Sequence, residues 1–231
     1  MNLQEAKRGP WMVDGGSERP VSACYPLFTT HYSRSSRPRF VLGLAGPSGS
    51  GKSTAAGILK GWGAWVVEGD LLGRLAIEDP QTRSRVMKAF KLKTLDRKAL
   101  ARRVFGDSKA LARLSGLTWP FIGSQADTLL SSRRSGLLVL DAAVLLEAGW
   151  GKFCDRVLVL RASEALRFKR LTGMGLSPGE ARLRIRSQAG LGQCPGADEL
   201  WWNGGSVVEL KEELRRLLLR WGGNTEPVPH G

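Results

Sequence analysis

A glycine-rich segment, AGPSGSGKST at residues 45–54, has the residue types and spacing that phosphate chemistry requires. Its residues 46–53 match the pattern G-x-x-x-x-G-K-[ST] throughout. Glycines let the backbone turn so that its N–H groups point at phosphates, and the helix that follows adds the positive end of its dipole. Lys52 can bridge the β- and γ-phosphates, and the Ser53 hydroxyl can bind Mg²⁺. The pattern predicts a nucleoside triphosphate site formed by Gly46, Pro47, Ser48, Gly49, Ser50, Gly51, Lys52, Ser53 and Thr54.

Two carboxylates lie where apolar segments of the chain end. Asp70 ends AWVVEGD, and Asp141 closes LLVLD. Because the carboxyl ends of parallel strands face the ligand crevice, Asp70 could orient an acceptor hydroxyl and take its proton, and Asp141 could lie near a metal. Each aspartate could equally cap a helix or a turn. Glu147, which follows Asp141 by six residues, either shapes an acceptor pocket or is a solvated loop charge.

Arginines cluster around a glycine-rich turn in the last third of the chain. They are Arg167, Arg170, Arg182, Arg184 and Arg186. Phosphoryl transfer spreads negative charge over the oxygens of the transferred group, and a mobile arginine lid can neutralise that charge. Arg182 and Arg186 share one helix face, while Arg184 points elsewhere. These arginines therefore either form a lid over the nucleotide or are solvated.

The elements that must position these side chains alternate along the chain. Continuously apolar segments predict buried strands, and periodic segments between them predict helices. This alternation indicates an α/β fold with a parallel sheet. The predicted strands are 40–46, 64–70, 136–142, 155–162 and 199–203, and the predicted helices are 52–61, most of 71–135, a basic helix capped by Ser177, and 206–221.

Composition narrows the class of protein. The chain has 231 residues, three cysteines that form no C-x-x-C, and two histidines near its ends. A disulfide framework, a zinc site and histidine acid–base chemistry in the core are therefore disfavoured, and a reducing cytoplasm is expected. No apolar segment is long enough to span a membrane. The net charge of +14 fits nucleic acid, a cleft for anionic ligands, or a solvated arginine-rich surface.

The motifs together resemble those of dephospho-coenzyme A kinases, a family of P-loop nucleotide kinases. After the P-loop, VVEGDLLGR at 66–74 is similar to the family's stretch that carries a functional aspartate. Four further segments then resemble family signatures in the family's order, and the likeness runs from about Phe40 to Leu219. They are LDRKALARRVFGD, LDAAVLLEAG, the lid segment ending in ARLRIRSQ, and ADELWWNGGSVVEL, and between the first two lies a fifth segment, LSGLTWPFI at 114–122, which is similar to a stretch with a His-Pro pair in the family.

The resemblance implies ATP- and Mg²⁺-dependent phosphorylation of the ribose 3′-hydroxyl of dephospho-CoA, the last step of coenzyme A biosynthesis. It also implies a three-layer P-loop NTPase fold with a five-stranded parallel sheet, a helical acceptor-binding region and an arginine-bearing lid. Catalysis then falls to Lys52, Asp70 and Arg184, and Asn203 lies near the adenine of ATP. The implied acceptor-binding residues are Asp70, Arg74, Arg97, Trp119 and Glu147.

The domain organisation follows from the same interpretation. Residues 1–38 are polar and irregular, and we expect a disordered extension. We expect one kinase domain at 39–222 and a tail at 223–231. Within the domain, 71–135 forms the helical acceptor-binding region and 171–192 the lid. We expect a monomer or weak oligomer that needs neither nucleic acid nor a membrane.

The chain departs from the family pattern at positions near the acceptor and lid. Trp119 stands where the family has a histidine, Ala143 stands where it has a proline, and no arginine occurs at Gly173 or Met174. Two alternative functions remain open at this point. One is another P-loop nucleoside or nucleotide kinase, and the other is a nucleotide-dependent nucleic-acid-binding protein, for which the net charge is the main support.

Overall fold

The computed structural model describes residues 39–104, 107–191 and 196–223. The residues assigned above to the extension and most of the tail lie outside these ranges. Five strands, β1 to β5, and eight α-helices, α1 to α8, alternate along the described chain, with a 3-10 helix at Trp150–Phe153. The strands are β1 Arg39–Ala45, β2 Trp65–Glu68, β3 Gly136–Asp141, β4 Arg156–Arg161 and β5 Glu199–Trp202. The helices are α1 Lys52–Gly61, α2 Gly69–Glu78, α3 Pro80–Phe90, α4 Arg97–Val104, α5 Ser108–Ser131, α6 Glu164–Gly173, α7 Pro178–Ser187 and α8 Val207–Arg220.

The strands form one parallel sheet in the order β2-β3-β1-β4-β5. The three central strands are almost wholly buried, which explains their uninterrupted apolar sequences. In register, Leu44 of β1 lies beside Asp141 of β3, and Asp141 lies beside Glu68 of β2. The carboxyl ends of β1, β2 and β3 therefore meet at one edge of the sheet.

Helices cover both faces of the sheet, and this confirms the predicted three-layer architecture. Successive strand residues point to opposite faces, so Val41 packs with Leu72 and Ile122 from α2 and α5. Its neighbour Leu42 packs on the other face, in the cluster that includes Leu59 of α1. The buried leucines of α8 complete that second layer; they are Leu210, Leu214, Leu217 and Leu218.

The helices between β2 and β3 carry a small core of their own. Ile77, Val86, Phe90, Leu100 and Leu114 form a buried cluster where α2, α3, α4 and α5 meet. This cluster gives the helices a fixed arrangement beside the sheet edge, and it lets them wall a cavity there.

Helices α6 and α7 form a hairpin after β4. Leu171 of α6 packs against Ala181 and Ile185 of α7. Ser177 caps α7 as predicted: its hydroxyl accepts from the Glu180 N–H, and the Glu180 carboxylate accepts from the Ser177 N–H. Within the three described ranges, no helix has both the length and the apolar character needed to cross a membrane.

Candidate active site

The phosphate-binding loop connects β1 to α1, and its shape depends on glycine. Gly46 and Gly51 have φ angles of 129° and 105°, which residues with side chains rarely adopt. A Cβ atom at Gly46 would collide with the Leu160 carbonyl, and one at Gly51 would collide with the Asn203 amide. The loop can therefore keep its curve, and its close approach to β4 and β5, only with glycine at both positions.

Side chains from α6 support the loop from behind. Arg167 is buried and donates from Nε to the Ser48 carbonyl over 2.9 Å. Arg170 donates to the Gly49 carbonyl over 3.1 Å and to the Asn203 carbonyl over 3.1 Å. Burial lowers the pKa of both guanidinium groups. Two of the arginines expected in a lid thus make fixed contacts with the loop.

Asn203 lies behind the loop as well, immediately after β5. Its side chain is buried and donates from Nδ2 to the Ser50 carbonyl over 2.8 Å. Asn203 does not line the cavity described below, which contains the residues predicted for catalysis and acceptor binding. Its place near the adenine of ATP stays a prediction.

Asp70 occupies a different element from the one expected. The prediction that it ends the second strand is wrong, because β2 ends at Glu68 and Asp70 lies in the first turn of α2. The alternative that Asp70 caps this helix is also wrong, since the N-cap residue is Glu68. Gly69 lets the start of α2 pack closely against the segment after β3, because a Cβ there would lie 2.8 Å from the Ala142 Cβ. Asp70 is exposed to solvent within the cavity described below.

Asp141 closes β3 as predicted. It lies at the sheet edge near Lys52 and the carboxylates of Asp70 and Glu68. Burial raises the pKa of Asp141 to about 6; Lys52 opposes the rise, and Asp70 and Glu68 add to it. The pKa of Glu68 is raised for the same chief reason. Negative charge is thus concentrated here, next to the lysine of the loop.

Replacing Asp141 with asparagine is expected to stabilise the ligand-free protein near neutral pH. A raised folded-state pKa means that stability is lost as pH rises through about 6, because the ionised carboxylate is then held in an unfavourable place. Asp141→Asn removes that cost, so the free energy of unfolding at pH 7.5 should increase by at most about 3 kcal/mol. The gain should shrink towards zero by pH 4.

Urea unfolding of both proteins between pH 4 and pH 7.5, without nucleotide or metal, measures this gain. Asp127→Asn, at an exposed position on α5, is the matched control. A gain of equal size at every pH would show that charge at Asp141 is not its cause.

One cavity of about 530 Å³ brings together all of the residues predicted for catalysis and acceptor binding, and Ser48 of the P-loop. It opens between the P-loop, the start of α2, helices α4 and α5, the segment after β3, and the end of α7. Each residue predicted for catalysis or acceptor binding lines it: Lys52, Asp70, Arg74, Arg97, Trp119, Glu147 and Arg184. Asn203 and the exposed hydroxyls of Ser53 and Thr54 lie outside its lining.

The two ends of the cavity differ in chemical character. Lys52, Asp70 and Arg184 provide charges at the sheet edge, whereas α4 and α5 contribute mainly apolar side chains, with Arg97 and the hydroxyl residues Ser108, Ser115 and Thr118 among them. Trp119 meets the buried Trp150 there, with ring centroids 6.2 Å apart and planes at 68°. Gly123 makes room for Trp150, since a Cβ at this position would lie 2.9 Å from the indole nitrogen. The cavity can thus hold a ligand with one charged and one apolar or aromatic part.

Arg184 reaches the cavity from α7. Burial lowers its pKa, and Asp70 and Glu180 oppose that change. The guanidinium and the Asp70 carboxylate therefore lie close enough to interact electrostatically across the cavity. Arg182, on another face of the same helix, lies over the ring of Phe168, 5.4 Å from its centroid. The helix thus directs only some of its arginines to the site.

Trp150 and Gln188 line the cavity, and the sequence analysis assigned a role to neither of them. Trp150 belongs to a short 3-10 helix that no periodicity marks, and Gln188 lies one residue beyond α7. Gln188 accepts a hydrogen bond at Oε1 from the Ser48 N–H over 2.8 Å. The capping pattern at Ser177 predicted where α7 begins. No local sequence pattern predicted that the residue after its last turn would contact the P-loop.

A P-loop on a five-stranded parallel sheet, with a cavity that opens from the loop and also holds a carboxylate and an arginine of α7, defines a P-loop kinase. Comparison with known proteins narrows the class. A family model described as dephospho-CoA kinase matches residues 40–205. The chain belongs to the dephospho-CoA kinase family.

Relatives and solved structures agree with this assignment. The dephospho-CoA kinase of Methylococcus capsulatus is 33% identical over 190 residues, which cover 78% of this chain and 96% of the relative. That of Corynebacterium jeikeium is 35% identical over 193 residues, 79% of this chain and 98% of the relative. A Thermus thermophilus structure, 30% identical, matches with a TM-score of 0.64 over 80% of this chain and 98% of its own. The dephospho-CoA kinase structure from Campylobacter jejuni, 21% identical, supports the fold with a TM-score of 0.54 over 79% and 96%.

Proposed function

We propose that this chain transfers the γ-phosphoryl group of ATP to the ribose 3′-hydroxyl of dephospho-CoA, giving CoA and ADP in the last step of coenzyme A biosynthesis. The observation that carries the proposal is the single cavity in which the P-loop lysine, Asp70 and an apolar, aromatic end occur together. Family membership supplies the identity of the two substrates.

ATP binds with its phosphates along residues 46–54. The backbone N–H groups and the start of α1 hold the phosphates, and Lys52 neutralises the β- and γ-phosphates. Ser53, in the first turn of α1, and the carboxylate of Asp141 are hard oxygen donors of the kind that Mg²⁺ prefers. Ser53 would hold the ion directly. When bound, Mg²⁺ supplies further neutralisation of phosphate charge.

Asp70 orients the acceptor. Its carboxylate accepts a hydrogen bond from the 3′-hydroxyl and takes the proton as the new oxygen–phosphorus bond forms and the bond to ADP breaks. Arg184 faces the same space and neutralises charge on the transferred group. The remaining cavity residues hold the rest of dephospho-CoA: Arg74 and Arg97 can bind its diphosphate, and Glu147 and Trp119 bound the pocket.

A coupled assay of ADP release tests the proposal. The full chain, MgATP and dephospho-CoA are compared with adenosine and uridine as acceptors, and the product is identified by mass. CoA formed at a rate well above that of any other product supports the proposal. A faster reaction with a nucleoside would instead favour the alternative nucleoside kinase, and turnover that depends on added nucleic acid would favour the nucleic-acid-binding alternative.

Trp119 is expected to affect binding of the acceptor and leave phosphoryl transfer almost unchanged. Its indole lies in the aromatic end of the cavity, where it can stack on the adenine of dephospho-CoA. Stacking of a base on an aromatic side chain contributes about 1–3 kcal/mol, so Trp119→Ala should raise KM for dephospho-CoA by about tenfold or more. KM for ATP should stay the same.

Steady-state kinetics with each substrate varied in turn measure this effect. Trp119→Phe keeps an aromatic ring and is the matched control, for which a smaller rise in KM is expected. Equal KM values for all three proteins would exclude a contact between Trp119 and the acceptor.

All of the residues proposed for the reaction come from one chain, and we propose that a monomer or weak oligomer is active in the cytoplasm. Size-exclusion chromatography with light scattering, at the concentrations used for the assay, checks the first part. An activity that appears only above a threshold protein concentration would contradict it.

A further inference from the structure

The amide of Gln188 makes a direct contact between the P-loop and the hairpin of α6 and α7, which is called the lid hairpin from here on. Its Oε1 accepts from the Ser48 N–H over 2.8 Å, although the two residues are 140 positions apart in the sequence. Gln188 is the C-cap residue of α7, and it is partly buried. Both partners line the cavity that contains Lys52 and Asp70.

The packing of α7 determines which residues reach the cavity. Ala181 and Ile185 are buried against α6. Arg184 and Gln188 are one helical turn apart, so they occupy the same side of the helix, and both line the cavity. The lid hairpin thus presents an arginine and an amide side by side to the space next to Asp70.

The chemistry of the amide fixes which of its ends is engaged. A backbone N–H can only donate, so the partner of Ser48 must be the oxygen of Gln188, and its Nε2 group keeps two N–H donors. Among the residues that the structure describes, none accepts a hydrogen bond from Nε2. The amide is held by one end and retains donors at the other, at the border of the cavity.

The phosphoryl group in transit must pass between Lys52 and an acceptor hydroxyl at Asp70. Ser48 and Lys52 belong to the loop that holds the phosphates, and Arg184 interacts electrostatically with Asp70. Gln188 contacts the P-loop at Ser48, and it lies one helical turn after Arg184 at the end of α7. Its Nε2 donors, from which no described residue accepts a hydrogen bond, therefore border the path of the transferred group.

We propose that Gln188 is a catalytic residue that donates a hydrogen bond from Nε2 to the phosphoryl group as it is transferred, with the Ser48 N–H holding the amide in position. The proposal rests on the proposed function, because the γ-phosphoryl group is the ligand. A neutral donor complements Arg184: it stabilises developing charge without adding a further cation to the site.

Two substitutions separate this role from a purely structural contact. Gln188→Glu keeps an oxygen for the Ser48 N–H but replaces the donors with negative charge, whereas Gln188→Ala removes both functions. Loss of one preorganised donor to developing charge typically lowers kcat by about 100-fold, and we expect that loss for Gln188→Ala. Gln188→Glu should be at least as slow, because its charge repels the phosphoryl group. KM for both substrates should change little.

A structural latch predicts a different result. If Gln188 only joined the α6–α7 hairpin to the loop, Gln188→Ala would raise KM for ATP and leave kcat close to that of the wild type; that result would overturn the proposal. Gln81→Glu, on the exposed start of α3 and outside the cavity, makes the same chemical change as a control and should leave kcat unchanged. Thermal unfolding of each variant confirms that it is folded.

A second measurement needs no acceptor. Binding of MgADP is measured with and without aluminium fluoride, which mimics the phosphoryl group in transit. Wild-type protein should bind MgADP more tightly with fluoride, and Gln188→Glu should lose about tenfold or more of that gain while its affinity for MgADP alone is unchanged. The same gain in both proteins, or none in the wild type, would contradict the role of Gln188. Failure to phosphorylate dephospho-CoA would instead contradict the proposed function, so the two failures are distinguishable.

Discussion

Replacing Asp70 with asparagine is expected to lower kcat by about a thousandfold, because general base catalysis by the carboxylate is lost. The asparagine side chain could still accept a hydrogen bond from the 3′-hydroxyl but could not take its proton. The P-loop does not involve Asp70, so the affinity for MgATP should be unchanged. The loss should thus fall on kcat and not on KM for ATP.

Steady-state kinetics and direct titration of MgATP measure the two parts of this prediction. Glu68→Gln is the matched control, since Glu68 lies two residues before Asp70 at the same sheet edge but does not line the cavity. The control should keep most of its activity. Normal turnover by Asp70→Asn would show that another group receives the proton, and an equal loss in both variants would indicate a general effect of the local negative charge.

Local patterns were enough to predict the sheet and the P-loop. A loop flanked by an apolar strand and a helix is encoded within about 25 consecutive residues, and each strand is a short apolar segment bounded by polar ones. Asp141 could be placed for the same reason, since it ends such a segment. Lys52 needed only the motif.

Asp70 shows where local pattern fails. VVEGD is typical of a strand with a terminal aspartate, but the structure begins α2 at Gly69, where close contact with Ala142 requires glycine. That contact joins two separate parts of the sheet edge, and no periodicity in either segment reveals it. The residue was correctly expected at the edge, yet in the wrong element.

The support of the P-loop could not be predicted for a related physical reason. Asn203 and Arg170 donate to loop carbonyls across 153 and 121 positions. An asparagine after a short strand and an arginine in a basic helix are ordinary in sequence. They acquire their role only when the sheet order places β4 beside β1 and β5 beside β4.

Lys52→Ala is expected to have the other large effect, a loss of kcat of about a thousandfold or more, since removing charge stabilisation from a transferring group costs several kcal/mol. The cavity would otherwise be intact. Lys60→Ala removes an exposed lysine from the last turn of the same helix and is the control, with kcat expected to stay near that of the wild type. If Lys52→Ala retained full activity, the P-loop assignment would lose its chemical basis.

Lys52→Ala should also lower the free energy of unfolding, with a pH dependence that identifies Asp141 as the cause. Lys52 lowers the pKa of Asp141, so its removal raises that pKa further above the ordinary value, and the ionised carboxylate becomes more costly. Lys52→Ala should therefore be destabilised at pH 7.5 and much less so at pH 4. Adding Asp141→Asn should restore stability at pH 7.5 without restoring kcat, and a double-mutant cycle of unfolding free energies measures the coupling. Stability recovered without activity would separate the two roles of this lysine: it balances a buried carboxylate in the free protein, and it neutralises phosphate during transfer.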